Sequence, residues 1–322
     1  MRLYAHADRL GLPRVGALVD GELITGGQLA RYERGAGVFT YGHPWQRVPA
    51  DAWSRELERT IRRAVRGGAA RRSIESRRPL PAVLNPEKIV CAGLNYGDHV
   101  REGGREAPGR PLMFAKFANA IIGDGEAIVR PPGTTALDLE VELGVVIGRT
   151  ARRVSPERAM DHVAGYVVVN DVSARDWQGN PQALAEGRKG DGQWLRAKGS
   201  DTFLPVGPVL VTPDEVDPAA GLRLRSWRIS GSGPNAGTPI LMQDGSTADL
   251  LVGVSELVSL ISQEITFEAG DLVITGTPAG VGVFRDPPVF LEPGDRVRCE
   301  IEGIGVLENP VVDWTEDPRP AV

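Results

Sequence analysis

With 322 residues, 41% of them hydrophobic, the chain is long enough to bury a sizeable core in one large domain plus a smaller appendage. A formal net charge of −5, with Arg scattered among Asp and Glu, excludes the basic stripe of a nucleic-acid-binding face. No apolar run approaches the roughly 18 to 20 residues that span a bilayer, and the start MRLYAHADRLGLPRVGALVDGELI alternates like a strand rather than a secretory signal, so cytoplasmic residence is expected.

Residues 1 to about 30 read as short strands around Val19-Asp20-Gly21-Glu22, because Asp-Gly between alternating apolar residues signals a hairpin. Residues 50 to 78 place Trp53, Leu57, Ile61 and Ala64 at helical spacing among Arg and Glu, which predicts an amphipathic helix. Its basic residues read as a solvated face rather than a polyanion site. Arg78-Pro79-Leu80-Pro81 breaks the pattern and reads as a linker. The expected domains are therefore 1–82, small and α+β, and 83–314, with 315–322 as a tail.

From residue 85 onward short β-branched runs alternate with Gly and Pro, which predicts a domain of mostly β structure with some α/β elements. Two runs follow Glu-x-Gly-Asp, at 268–271 and 292–295, where Gly supplies the turn before a strand. Helices are expected in SPERAMDHVAG, with Ser155 as N-cap, and in ADLLVGVSELVSLISQ. Cys91 and Cys299 sit inside strand-like runs without zinc spacing and read as buried free thiols.

In DLEVELGVVIG, strand alternation puts Glu140 and Glu142 on one face and Leu139, Val141 and Leu143 on the other. A solvated acidic edge strand would show the same spacing. AGYVVVND, however, is an apolar run ending in Asn170-Asp171, and a carboxylate at the end of a buried strand must be paired or bound to a cation. Three carboxylates without nearby His or Cys favour a hard cation, Mg²⁺, Mn²⁺ or Ca²⁺, over Zn²⁺. Such a cation would act as Lewis acid on a 2-oxo carboxylate and hold the charge of the enolate. In GLNYGDHVREGG, His99 and Glu102 at i, i+3 become neighbours on a helical turn, and a carboxylate beside imidazole suits water activation near neutral pH. An exposed His paired with Glu would also have this spacing. His6, His43 and His162 carry no comparable pattern.

Residues 85 to 312 resemble the fumarylacetoacetate hydrolase family in ordered motifs. These run Gly93-Leu94-Asn95-Tyr96 with His99 and Glu102; Phe114-Ala115-Lys116; Asp138-Leu139-Glu140-Val141-Glu142; Asn170-Asp171 through Arg175 to Gln178; Lys198 with Asp201-Thr202-Phe203; Thr275-Gly276-Thr277-Pro278; and Gly294-Asp295 with Gly303-Ile304-Gly305. The resemblance implies a mixed β-sandwich roll, Mg²⁺ or Mn²⁺ on Glu140, Glu142 and Asp171, and a water-activating His99–Glu102 dyad on a lid. It also implies Lys198 as oxyanion or enolate stabiliser, Thr277 with Gly276 at the substrate carboxylate, and Arg175 and Gln178 at the distal substrate, while Lys116 and Tyr96 complete the substrate contacts. A homodimer is implied as well. The insertion at 179–193, the residue Leu139 between the acids, and Met242 before Gln243 depart from the family pattern.

The expected reaction is hydrolysis of a C–C bond in an acylpyruvate or other 2,4-dioxo carboxylate, with the enolate stabilised by the metal as it leaves. The alternatives on the same fold are decarboxylation, isomerisation or hydration of a 2-oxo acid. A structural cation site in a β-rich binding protein would leave Lys198, the dyad and Thr277 without a common reason to recur.

Overall fold

The β-branched runs become strands of two large sheets in the computed structural model, which describes residues 1–34, 50–179 and 192–319. The larger sheet has nine strands in the order Glu22–Ile24, Pro13–Val19, Arg2–Ala7, Val209–Val211, Val163–Asn170, Val141–Ile147, Leu272–Ile274, Ile89–Gly93 and Leu112–Lys116. The second has five, in the order Pro239–Ser246, Arg223–Ile229, Arg296–Ile301, Gly305–Asp313 and Ile128–Arg130. It packs on the central strands Val141–Ile147 and Val163–Asn170. Both of those strands are buried along their whole length, so Val163–Asn170 reads as a nearly continuous apolar run, while Glu142 in the other strand is buried as well and needs compensation. The fold is the expected mostly β arrangement of stacked sheets with short helices.

The hairpin at Asp20-Gly21 forms with both residues at positive φ, 53° and 80°, the combination a two-residue turn of matching twist requires. The strand ahead of it, Arg2–Ala7, pairs antiparallel with Val209–Val211, so the N-terminal strands extend the large sheet. Residues 78–80, expected as a free linker, are bonded to that strand: the Ala7 N–H donates to Arg78 O at 2.9 Å and the Leu80 N–H to Ala5 O at 3.1 Å.

The amphipathic helix runs from Ala50 to Arg66, shorter than expected, because Gly67 and then Gly68 at φ 70° stop it. Leu57 and Ala64 are buried as predicted, whereas the side chain of Trp53, together with His43 and most of the 179–193 insertion, lies outside the described residues. The helix of ADLLVGVSELVSLISQ is likewise confined to Val254–Ser262. Its first residues are diverted by Asn95, whose side chain accepts the Val252 N–H at 2.9 Å and donates to Val252 O at 3.1 Å. The segment after Ser155 is α-helical over Pro156–Ala159 and continues as a 3-10 turn over Met160–His162, while the Ser155 side chain makes no capping bond.

The two Glu-x-Gly-Asp turns fold alike. Asp271 accepts the Glu268 N–H at 2.7 Å and Asp295 that of Glu292 at 2.9 Å, with Gly270 and Gly294 at φ 98° and 94°. Cys91 and Cys299 are free and buried. Among the described residues no helix is long and apolar enough to cross a membrane.

Candidate active site

Antiparallel pairing of Val141–Ile147 with Val163–Asn170 sets Asn170 opposite Val141, and the Asp171 N–H then donates to Glu140 O at 2.9 Å. The ends of two neighbouring strands therefore present Glu140, Glu142 and Asp171 together, with one carboxylate oxygen from each lying within 4.8 Å of the others. All three are buried. The Asn170 carboxamide oxygen accepts the Glu140 N–H at 2.9 Å and fixes the turn into the strand.

Buried carboxylates require compensation. Lys198 Nζ bridges Glu140 at 2.6 Å and Asp171 at 2.8 Å. Arg175 reaches Glu140 at 2.6 Å and Asp138 at 2.8 Å, and donates to Gln178 at 3.0 Å. Burial raises the Glu140 pKa, but the Lys198 and Arg175 charges outweigh it and bring the group down to about 2. Burial works to lower the Lys198 pKa, and the Asp171 and Glu140 charges outweigh it and raise the pKa.

Glu142 is different. It accepts the Gly276 N–H at 2.6 Å and has no cationic side chain in ion-pair contact among the described residues. Burial first, then the Asp171 and Glu140 charges, push its pKa well above the carboxylate range. One buried acid is thus left without a positive partner beside two that have one, on an all-oxygen donor set. That arrangement fits a hard divalent cation.

The dyad forms as its spacing predicted. The helix Gly97–Glu102 places His99 Nδ1 3.2 Å from Glu102 Oε2, while Glu102 Oε1 accepts the Gly280 N–H at 2.8 Å. Asp98 anchors the same turn by accepting the N–H groups of His99 and Ala279 at 2.7 and 3.2 Å. His99, Glu140, Glu142, Lys198 and Thr277 all face one cavity of about 280 Å³. Its apolar wall includes Phe114, Trp194, Val283 and Phe284.

Several residues expected at the substrate lie elsewhere. Lys116 is wholly enclosed behind the acids: its ammonium is 2.7 Å from Asp171 and donates to Val172 O at 3.1 Å, Phe203 O at 2.8 Å and Lys198 O. Tyr96 is fully buried and, with Gly276, stands outside the cavity lining. Gly276, at φ 99°, supports Glu142 through its N–H. Arg175 and Gln178 do line the cavity, but the Arg175 guanidinium is taken up by Asp138, Glu140 and Gln178. The Thr277 hydroxyl donates to Val141 O at 2.9 Å and accepts from Gln243 at 2.7 Å, so it locks the loop to the strand.

Three groups escaped the sequence reading. Asp138 shares the strand parity of Glu140 and Glu142, and that signal was available; its carboxylate accepts the Gly282 and Val283 N–H groups at 2.8 and 3.1 Å. Gln243 ties Val141, Ser226, Thr277 and Pro278 together. Arg105 lies on the cavity wall with no ion pair among the described residues, and a lone Arg in a Gly-rich loop has no periodicity to mark it.

The 225-residue stretch carrying these groups coincides with the match to a family model described as fumarylacetoacetate hydrolase C-terminal, over residues 88–312. The chain belongs to the fumarylacetoacetate hydrolase family. Among curated relatives it is 46% identical over 233 residues, 72% of this chain and 69% of the other, to a Bos taurus protein named oxaloacetate tautomerase FAHD2B, mitochondrial. Among solved structures, a fumarylacetoacetate hydrolase from Exiguobacterium antarcticum matches with a TM-score of 0.72 and 33% identity, covering 97% of this chain and 99% of that one. A 2-hydroxyhepta-2,4-diene-1,7-dioate isomerase from Mycobacterium marinum matches with a TM-score of 0.67 and 32% identity, covering 98% and 100%. Within this hydrolase family fold, Gly282 sits where the Asp138 carboxylate and a neighbouring loop close in: a Cβ there would lie 1.9 Å from Val289 O. Gly282→Ala is expected to cost about 1 to 3 kcal/mol, from overpacking. A thermal melt unchanged within error would contradict that.

Proposed function

We propose that this family member catalyses keto–enol tautomerisation of a 2-oxo dicarboxylate of the oxaloacetate type. The observation carrying the reading is that His99, paired with Glu102, faces the same cavity as Glu140, Glu142 and Lys198. With Nδ1 turned to Glu102, the Nε2 atom is left to accept a proton from the carbon next to the 2-oxo group and to deliver it to the oxygen of the enolate, or to carry it in reverse from enol oxygen to carbon, while Glu102 steadies the imidazolium formed in between. Lys198, kept charged by its acids, supplies positive potential where the 2-oxo oxygen gains negative charge. Glu140, Glu142 and Asp171 are the residues to hold Mg²⁺ or Mn²⁺, which would contribute Lewis-acid polarisation of the 2-oxo group. The names carried by the Bos taurus and Mycobacterium marinum proteins, a tautomerase and an isomerase, support a proton shift rather than bond cleavage.

A second reading, hydrolysis of an acylpyruvate, has its own support. The same dyad can activate water, and the apolar wall of Phe114, Trp194 and Phe284 suits a longer acyl chain than oxaloacetate has. Product analysis by NMR on Mn²⁺-loaded protein, with Glu140→Ala as control, separates the two. Accelerated enol-to-keto conversion of oxaloacetate, lost in the control, supports the tautomerase. Pyruvate plus a second acid from an acylpyruvate, with oxaloacetate equilibrating at the control rate, moves the assignment to the hydrolase. Release of CO₂ would instead mark a decarboxylase.

Arg105 is assigned to the far carboxylate of the dicarboxylate, since it is the cavity-lining cation not already engaged by acids among the described residues. Arg105→Ala is expected to raise KM for oxaloacetate about tenfold, the loss of one charge-assisted contact, with kcat nearly unchanged. Equal KM values for the variant and the parent would remove Arg105 from the site. A homodimer is proposed as well, and a monomeric mass in light scattering at micromolar concentration would count against it.

A further inference from the structure

The N-terminal strands border a second cavity, of about 500 Å³, remote in sequence from the catalytic residues. Five arginines from three segments converge on it: Arg9 from the turn between the first two strands and Arg14 from the start of the second, Arg31 from the segment after the hairpin, and Arg72 and Arg77 from the chain returning after the long helix. Among the described residues the one carboxylate lining it is Asp8. That carboxylate is already engaged, since it accepts the Leu10 and Leu12 N–H groups at 2.8 and 2.9 Å and pairs with Arg14 at 3.0 Å. Arg9, Arg31, Arg72 and Arg77 have no acidic partner among the described residues. His6 adds no negative charge. Its Nε2 faces the Gly26 N–H at 3.3 Å, and burial, reinforced by the Arg77 and Arg14 charges, lowers its pKa.

Solvated arginines normally spread apart or find acids. On a chain of net charge −5, four guanidinium groups without an acidic partner among the described residues, gathered around one concavity, repel one another and make a local positive well against the overall sign. The planar fork of guanidinium matches phosphate oxygens two at a time, and a single monovalent anion cannot neutralise a cluster drawn from three segments. We propose that this cavity binds a polyanion carrying two or more phosphate groups, at a site separate from the catalytic one. The long basic run from residue 59 to 78, which reads in sequence as a solvated helix face, contributes Arg72 and Arg77 to this site only because the chain turns back at Gly67-Gly68.

The test uses the full chain. Calorimetric titration with inorganic tripolyphosphate at low ionic strength is expected to give saturable binding that weakens steeply with salt. Arg72→Glu and Arg31→Glu should each weaken it tenfold or more. Arg158→Glu, which alters an exposed arginine paired with Asp161 at 2.7 Å elsewhere on the surface, should leave it unchanged. Where a charge reversal lowers the melting temperature, Arg72→Gln supplies the same comparison with a smaller expected loss. Co-sedimentation with phosphoinositide-containing vesicles but not with phosphatidylcholine alone would assign the phosphates to a lipid headgroup, whereas tripolyphosphate binding without co-sedimentation assigns a free ligand. Absence of saturable binding to either probe, or equal weakening by Arg158→Glu, overturns the proposal.

Discussion

Replacing His99 with Ala is expected to lower turnover of the 2-oxo substrate by a factor of about 10² to 10⁴, the usual contribution of a positioned general base, while cation affinity stays unchanged. The separation follows from the geometry. Glu140, Glu142 and Asp171 are held by strand register, by Lys198 and by Arg175, and none of these contacts passes through His99. Glu102 keeps its bond to the Gly280 N–H in the variant and Asp98 its bond to the Ala279 N–H, so the loop stays tied to the helix. Turnover and Mn²⁺ titration measured on one preparation would check both halves. Undiminished turnover would move the proton-transfer role off His99, and lost Mn²⁺ binding would mean that the helix Gly97–Glu102 shapes the acidic site.

The second large effect concerns stability. Lys116→Met, close to the native side chain in length, is expected to destabilise the fold by about 3 to 5 kcal/mol, the cost of breaking a fully buried ion pair. Lys116 and Asp171 are both wholly inaccessible, and the ammonium also serves the carbonyls of Val172, Lys198 and Phe203. Removal leaves an acid short of one cation and three carbonyls without their donor. Urea denaturation should show a lower midpoint at an unchanged slope. A midpoint equal to that of the parent would mean that Lys198 alone compensates Asp171. Because the same ammonium holds the Lys198 carbonyl, the variant should also bind Mn²⁺ more weakly.

The acidic cluster was legible in the sequence because it rests on short-range rules. Alternation put Glu140 and Glu142 on one face, and an apolar strand ending in Asp171 demanded compensation; the pairing register then brought the two strand ends together. The i, i+3 spacing of His99 and Glu102 needed only a helical turn. Lys116, by contrast, carries no local sign of whether its charge points to a ligand or into the protein. Its four partners come from residues 171 to 203, and the distinction exists only after folding. The end of the long helix was misplaced for a different reason. Arg and Ala beyond Gly68 still fit a helical pattern, and the tie from Arg72 to Leu23, which holds that stretch extended, is a long-range contact. Substrate identity was least legible, since Arg105, the cavity-lining cation without an ion pair among the described residues, sits in a loop whose composition is merely polar.

The pairing of Arg2–Ala7 with Val209–Val211 has a consequence for synthesis. At about 5 to 20 residues per second, a ribosome needs on the order of 10 to 40 seconds after making the first strand before its partner exists. Throughout that interval the strand Arg2–Ala7 must present an open edge to solvent or to a chaperone. In nascent chains of this protein the strand Arg2–Ala7 should therefore become protected from proteases only after the segment around residue 211 has cleared the exit tunnel.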